Sequence, residues 1–175
     1  DQPAPTLSNA LYHPYATLPE LLQQSIRQRT ADNLYLLGQR TAELHQALAM
    51  GKDPAFSPED FDQAYRQSFL QSLTQLVDKR LQLAKQTRET LPPALQDQVN
   101  YFVSHSDTIR HYFDQVSTLT TDAKRTRIHG DFHLGQVLFT GDNFIILDFE
   151  GEPESSLAAR KIKHSPLKDV AGMVR

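Results

Sequence analysis

From Leu18 to Val116 the apolar side chains recur at three- and four-residue steps. Beyond about residue 125 that period gives way to short runs rich in β-branched and aromatic residues. Such a chain is expected to form an α-dominated α+β fold carrying a small β-hairpin, not a doubly wound sheet. In the stretch from Leu18 to Met50, the residues Leu34, Leu37, Thr41, Leu44 and Leu48 share one helical face, and Gly51 stops the pattern. Ser57-Pro58-Glu59-Asp60 has the chemistry of a helix start, with a capping hydroxyl, a proline for the first turn and carboxylates for the positive end of the dipole. Phe61, Tyr65, Phe69, Leu73, Leu76 and Leu83 would be the stripe of that long helix, and Leu91-Pro92-Pro93 its end. Leu95, Val99, Phe102 and Val103 carry the period to Ser104-His105-Ser106-Asp107, and Ile109, Phe113 and Val116 beyond it. Whether these make one helix or two stays open. Strands are expected at 126–128, 137–139 and 144–149, the last two joined by the turn Thr140-Gly141-Asp142-Asn143. A final helix is expected from Ser165 as cap and Pro166 as first residue, with Leu167, Val170, Ala171 and Val174 as its apolar stripe.

Composition narrows the function. The 175 residues suit one ordinary domain, and 39% apolar with 22% charged residues is the balance of a soluble globular protein. A net charge of -3 supplies no basic field for nucleic acid. There is no cysteine, which removes disulfides, thiolate catalysis and sulfur-ligated zinc. No run approaches the roughly 20 apolar residues that span a bilayer, so no membrane partner is expected and a cytoplasmic setting fits. Residues 1–16 read as an irregular opening segment and 17–175 as an incomplete helical lobe. The start Asp1-Gln2-Pro3-Ala4-Pro5 lacks methionine and a signal peptide, and the last helical pattern runs to Arg175 without a stop signal, so a piece of a longer polypeptide is expected.

The chemistry concentrates in Ile128-His129-Gly130-Asp131-Phe132-His133-Leu134-Gly135-Gln136 and in Leu147-Asp148-Phe149-Glu150-Gly151. Phosphoryl transfer to an alcohol needs a carboxylate to take the hydroxyl proton and oxygen ligands to hold magnesium against nucleotide phosphates. A His-x-Asp followed five residues after its aspartate by an amide meets the first need and part of the second. Asp131 and Gln136 have that spacing. Asp148, after the apolar run 144–147, stands where a second metal-binding aspartate is required. The antiparallel return of the hairpin is expected to gather the side-chain oxygens of Asp131, Gln136 and Asp148 in one pocket.

These residues, together with Glu152-Pro153, resemble the signature of the maltokinases, relatives of the aminoglycoside phosphotransferases within the protein-kinase-like superfamily. The stretches 37–45 and 165–173 resemble that family too, so the likeness runs from about residue 34 to the end. It implies the C-terminal lobe of a protein-kinase-like fold. It also implies a full-length enzyme that phosphorylates maltose, or a similar sugar, at its anomeric hydroxyl with ATP and magnesium, often fused to a trehalose synthase. By position, the resemblance makes Asp131 the base, Asp148 the main magnesium ligand and Gln136 the second-metal ligand, where most superfamily members have asparagine. Asp169 is similar to an aspartate that braces the catalytic loop, or is a first-turn carboxylate favoured by the helix dipole. His129 is expected to support the loop.

Other residues stand as candidate contacts to substrate or phosphate: His133, Glu150, Glu152, Arg160 and Lys163, with Lys161 beside them. An exposed acidic turn and a solvated basic face are the plainer readings of these groups. No glycine-rich phosphate loop and no lysine-bearing strand precede the helices, so the nucleotide lobe is expected outside this stretch and the stretch itself to be inactive. Three rivals remain. The first is a metallohydrolase using His129, Asp131 and His133 as zinc ligands. The second is an aminoglycoside- or choline-type phosphotransferase, and the third a non-catalytic kinase-like module on a trehalose synthase.

Overall fold

The four-residue recurrence of Leu37, Thr41 and His45 puts these side chains on one side of a helix. In the computed structural model, which describes residues 14–118 and 120–175, that side is turned inward. Leu37 and Thr41 are buried, and the Thr41 hydroxyl donates back to the Leu37 carbonyl at 2.8 Å. The chain forms two compact units, one from the described residues up to Glu59 together with Arg125–Arg175, the other from Asp60–Lys124. Of the expected opening segment, residues 1–13 lie outside the described residues.

The first unit begins with α1 (Glu20–Ser25) and α2 (Gln28–Ala49). The single helical stretch expected from Leu18 to Met50 is thus two helices, because Ile26 adopts an extended conformation between them. The two-residue strands β1 (Glu59–Asp60) and β2 (Lys124–Arg125) lie where the chain leaves and re-enters this unit. After re-entry come the hairpin strands β3 (Val137–Phe139) and β4 (Phe144–Ile146), then α6 (Leu157–Arg160) and α7 (Leu167–Val174). The hairpin pairs Val137 with Ile146 and Phe139 with Phe144, and its turn is anchored to α2 through Arg40 Nε, which donates to Asn143 Oδ1 at 2.7 Å.

In the second unit α3 (Gln63–Thr87), α4 (Pro93–Ser104) and α5 (Ser106–Thr118) follow one another. His105 interrupts the last two, which settles their number. Phe61, Tyr65 and Phe69 form a ladder of rings with centroids 5.6 and 5.8 Å apart. Below Phe69 the inward stripe passes through Val77 and Leu81, while Leu76 and Leu83, expected inside, are half exposed. Among the described residues no helix is long and apolar enough to cross a membrane.

Two further expectations need correction. Ser57-Pro58-Glu59-Asp60 does not start a helix. The Lys163 ammonium takes the carbonyls of Pro54 (2.6 Å) and Ser57 (2.7 Å) and the Glu59 carboxylate (2.6 Å), so this segment is held non-helical. The helix begins instead at Gln63, capped by Asp62 Oδ1, which accepts from the Tyr65 N–H at 2.7 Å. Residues 126–128 are not a strand. Thr126 alone forms an antiparallel bridge with His164, their amides and carbonyls exchanging bonds of 2.9 and 3.0 Å. In α7 Leu167 and Val174 are exposed and Asp169 is buried, and Val170 and Val174 line a cavity with Leu34 and Leu37 of α2.

Because all three N–H groups of the buried Lys163 are matched by acceptors, Lys163→Met should lower stability by about 2–3 kcal/mol in urea unfolding. A second expectation concerns pH. Burial, with Lys168 and Arg125 nearby, pushes the His164 imidazole down to about 4. The unfolded chain, with a value of about 6.5, then takes up this proton before the folded chain does. Stability is therefore full above about pH 6.5 and falls as pH drops toward 4. His164→Gln should flatten the decline of the unfolding midpoint across that window.

Candidate active site

The loop from His129 to Gln136 owes its shape to one buried carboxylate. Asp169, on the first turn of α7, is 1% exposed. Its Oδ2 accepts the His129 N–H at 2.8 Å and its Oδ1 the Gly130 N–H at 2.9 Å. His45 Nε2, from α2, lies 2.9 Å from Oδ2 and, facing a carboxylate, is the donor. Burial raises the Asp169 pKa, but the His45 hydrogen bond and the two backbone N–H groups outweigh it and hold the carboxyl below its ordinary value. Gly130 sits at φ +90, a conformation that L side chains rarely adopt. Gly172 lets α7 approach closely, since a Cβ there would stand 2.7 Å from the Phe132 carbonyl oxygen.

His129 is a strut inside this loop. The Leu147 carbonyl can only accept, so Nε2, 2.7 Å away, carries the ring proton, and Nδ1 is left to face the Asp131 N–H at 3.4 Å. The ring is 1% exposed and lies between Phe132 and Phe149, both with centroids at 5.2 Å. Both nitrogens are thus engaged, which removes His129 as a zinc ligand. Among the described residues no group of three His, Cys, Asp or Glu is placed to hold a metal by itself.

The hairpin register brings Gln136 opposite Leu147, whose N–H donates to the Gln136 carbonyl at 2.9 Å. One residue on, the Gln136 amide nitrogen donates to Asp148 Oδ2 at 3.1 Å. Asp148 holds φ +59, uncommon for a residue with a side chain and the kind of strain that accumulates at functional sites. No ion pair neutralises Asp148 among the described residues. Gln136 Oε1 and the carboxylate oxygens of Asp148 are hard donors, which suits magnesium, an ion that takes only one or two protein carboxylates beside phosphate oxygens and water.

Asp131 is carried by the loop that precedes β3. Its carboxylate is partly exposed and is hydrogen-bonded to neither Gln136 nor Asp148. It lines a cavity of about 280 Å³ together with His133, Glu152, Lys168, Gly172 and Arg175. Gln136 and Asp148 are thus joined directly, while Asp131 lines this cavity, and the 3-10 turn Leu134–Gln136 lies between them in the chain. His133 Nδ1 accepts the Gly135 N–H at 3.0 Å, and its Nε2 stands 3.9 Å from Asp131 Oδ2, beyond hydrogen-bond length.

The remaining candidates divide. Glu152 reaches the Asp131 cavity and accepts from the Ser155 hydroxyl at 3.3 Å, whereas Glu150 is an exposed side chain outside it. Arg160, expected toward phosphate, instead donates to the carbonyls of Ser155 (2.9 Å), Pro153 (2.8 Å) and Glu150 (3.5 Å) and so clamps its own loop. Lys163 is the buried clamp described above, and Lys161 is exposed at a separate basic cavity with Arg125 and Arg127. Sequence reasoning missed His45, Lys168 and Arg175. The first lay inside a recognised stretch, but nothing in its spacing tied it to a residue more than a hundred positions away.

Known proteins agree with this architecture. A 47-residue stretch is 43% identical to the glucosamine kinase of Mycolicibacterium smegmatis (strain ATCC 700084 / mc(2)155), covering 27% of this chain and 12% of that protein. A solved glucosamine kinase superposes with a TM-score of 0.60 at 23% identity, over 78% of this chain and 30% of the other. Another, in complex with glucosamine, ADP and inorganic phosphate, gives 0.53 at 22% identity over the same shares. The chain thus spans 30% of the length of these solved relatives. Their likeness shows the fold, a mostly helical kinase-like lobe with a few small strands. The model of the phosphotransferase enzyme family (APH) matches residues 3–151, most of the sequence, and the chain belongs to that family.

Proposed function

We propose that the whole protein is an ATP-dependent sugar kinase in which Asp131 is the base and Gln136 and Asp148 are the magnesium ligands. The observation that carries the proposal is the direct bond between Gln136 and Asp148 across the hairpin, next to a loop whose backbone is fixed by Asp169. Asp131 accepts the proton of the sugar hydroxyl as that oxygen bonds to the terminal phosphorus of ATP and the bond to ADP breaks. Magnesium, when bound, neutralises charge on the phosphates. Maltose, phosphorylated at its anomeric hydroxyl, is the substrate that the signature 129–136 and 147–153 supports, with a trehalose synthase as the partner or fused domain that supplies it. The glucosamine kinase relatives support a second reading, an amino sugar, for which Glu152 at the Asp131 cavity offers a counter-charge. By itself the 175-residue chain, which carries no glycine-rich phosphate loop, is expected to transfer little or no phosphate.

Assays on the complete open reading frame, with ATP and a panel of maltose, glucosamine, an aminoglycoside and choline, test the reading. Turnover confined to the aminoglycoside or choline would overturn it. Asp131→Asn should lower kcat by about 10³-fold or more with an unchanged unfolding midpoint, and wild-type rates in that variant would remove Asp131 as base. Asp148→Asn should raise the magnesium concentration needed for half-maximal rate, measured by titration at saturating ATP.

A further inference from the structure

The carboxylate that carries the loop is itself held from behind. Asp169 Oδ2 is shared by the His129 N–H at 2.8 Å and His45 Nε2 at 2.9 Å, while among the described residues Oδ1 takes only the Gly130 N–H. His45 is 11% exposed and stands on the inward face of α2 with Leu37 and Thr41, so its ring position is set by a long helix and not by the loop it serves. We propose that His45 is a positioning residue for phosphoryl transfer. Its Nε2–H fixes the rotation of the Asp169 carboxylate, and through it the backbone at His129 and Gly130 and the place of Asp131.

With three N–H groups on two oxygens, the carboxylate plane has one orientation that satisfies all of them. Without His45, two adjacent backbone N–H groups remain, both on the loop, and no bond from α2 restrains them. Gly130, at φ +90, has the conformational freedom to use that slack. A displacement of about 1 Å at a catalytic group can lower a rate by about a hundredfold. The effect should therefore fall on kcat, because His45 lines neither the Asp131 cavity nor the Gln136–Asp148 pair.

The kinetic arm of the test rests on the sugar-kinase reading, and the second arm does not. In the full-length protein, His45→Leu removes the donor, and His45→Asn places an amide too close to α2 to reach Asp169. His45→Gln sets an amide N–H at nearly the distance of Nε2. His45→Leu and His45→Asn should lower kcat by about 10- to 100-fold with KM for ATP within about twofold, and His45→Gln should restore kcat to within about threefold of wild type. Hydrogen exchange of the peptide covering 128–132 should quicken by about tenfold in the first two variants and not in the third. Wild-type kcat and exchange in His45→Asn would overturn the proposal. So would equal losses in all three variants that track a fall in the unfolding midpoint. If the wild type turns over no sugar, the functional reading fails, and the exchange contrast between His45→Asn and His45→Gln still decides the positioning role.

Discussion

Asp169 is buried to 1% exposure, and a carboxylate so far from water is tolerated only when its oxygens are satisfied by donors. Here the donors come from two parts of the first unit: α2 supplies His45, and the loop before β3 supplies the N–H groups of His129 and Gly130. The carboxylate lies on α7, so one side chain relates three elements that the sequence separates by as much as 124 positions. Once this anchor is set, the neighbouring features have little freedom. Gly172 must lack a side chain because the Phe132 carbonyl lies against α7, and the His129 backbone is held where its ring meets Phe132, Phe149 and the Leu147 carbonyl.

A second constraint comes from the strand pair. Antiparallel pairing of Val137 with Ile146 fixes Gln136 beside Leu147, and the next side chains outward are an amide and a carboxylate within hydrogen-bond reach. His129 couples this end of the hairpin to the loop, because its ring donates to the Leu147 carbonyl while facing the Asp131 N–H. One imidazole, in contact with the rings of Phe132 and Phe149, thus ties the backbone at Asp131 to the residue before Asp148.

Much of this was legible in residue spacing. The helical period, the hairpin and its turn, and the pairing of position 136 with position 148 all follow from local pattern, since register and turn length are local properties. Long-range side-chain bonds were what the pattern could not carry. Ser57-Pro58-Glu59-Asp60 has the residues of a helix start, yet Lys163 claims its carbonyls from across the sequence. Asp62, a less conspicuous cap, does the work instead. Charge and hydrogen bonding overrode the local helix signal where a buried ion had to be matched.

The basic residues near the site are of two kinds. A cation whose N–H groups are engaged by backbone carbonyls is a structural clamp, because freeing it for a ligand would leave those carbonyls without partners. Lys163 and Arg160 meet that description: the first holds 54–59, the second holds 150–155. Lys168 and Arg175 differ. They line the cavity that Asp131 enters, on the outward side of the helix that Asp169 anchors. Burying one acid on α7 thus fixes which way the helix presents its bases, and the anchor that shapes the loop also sets the charges facing the space beside Asp131.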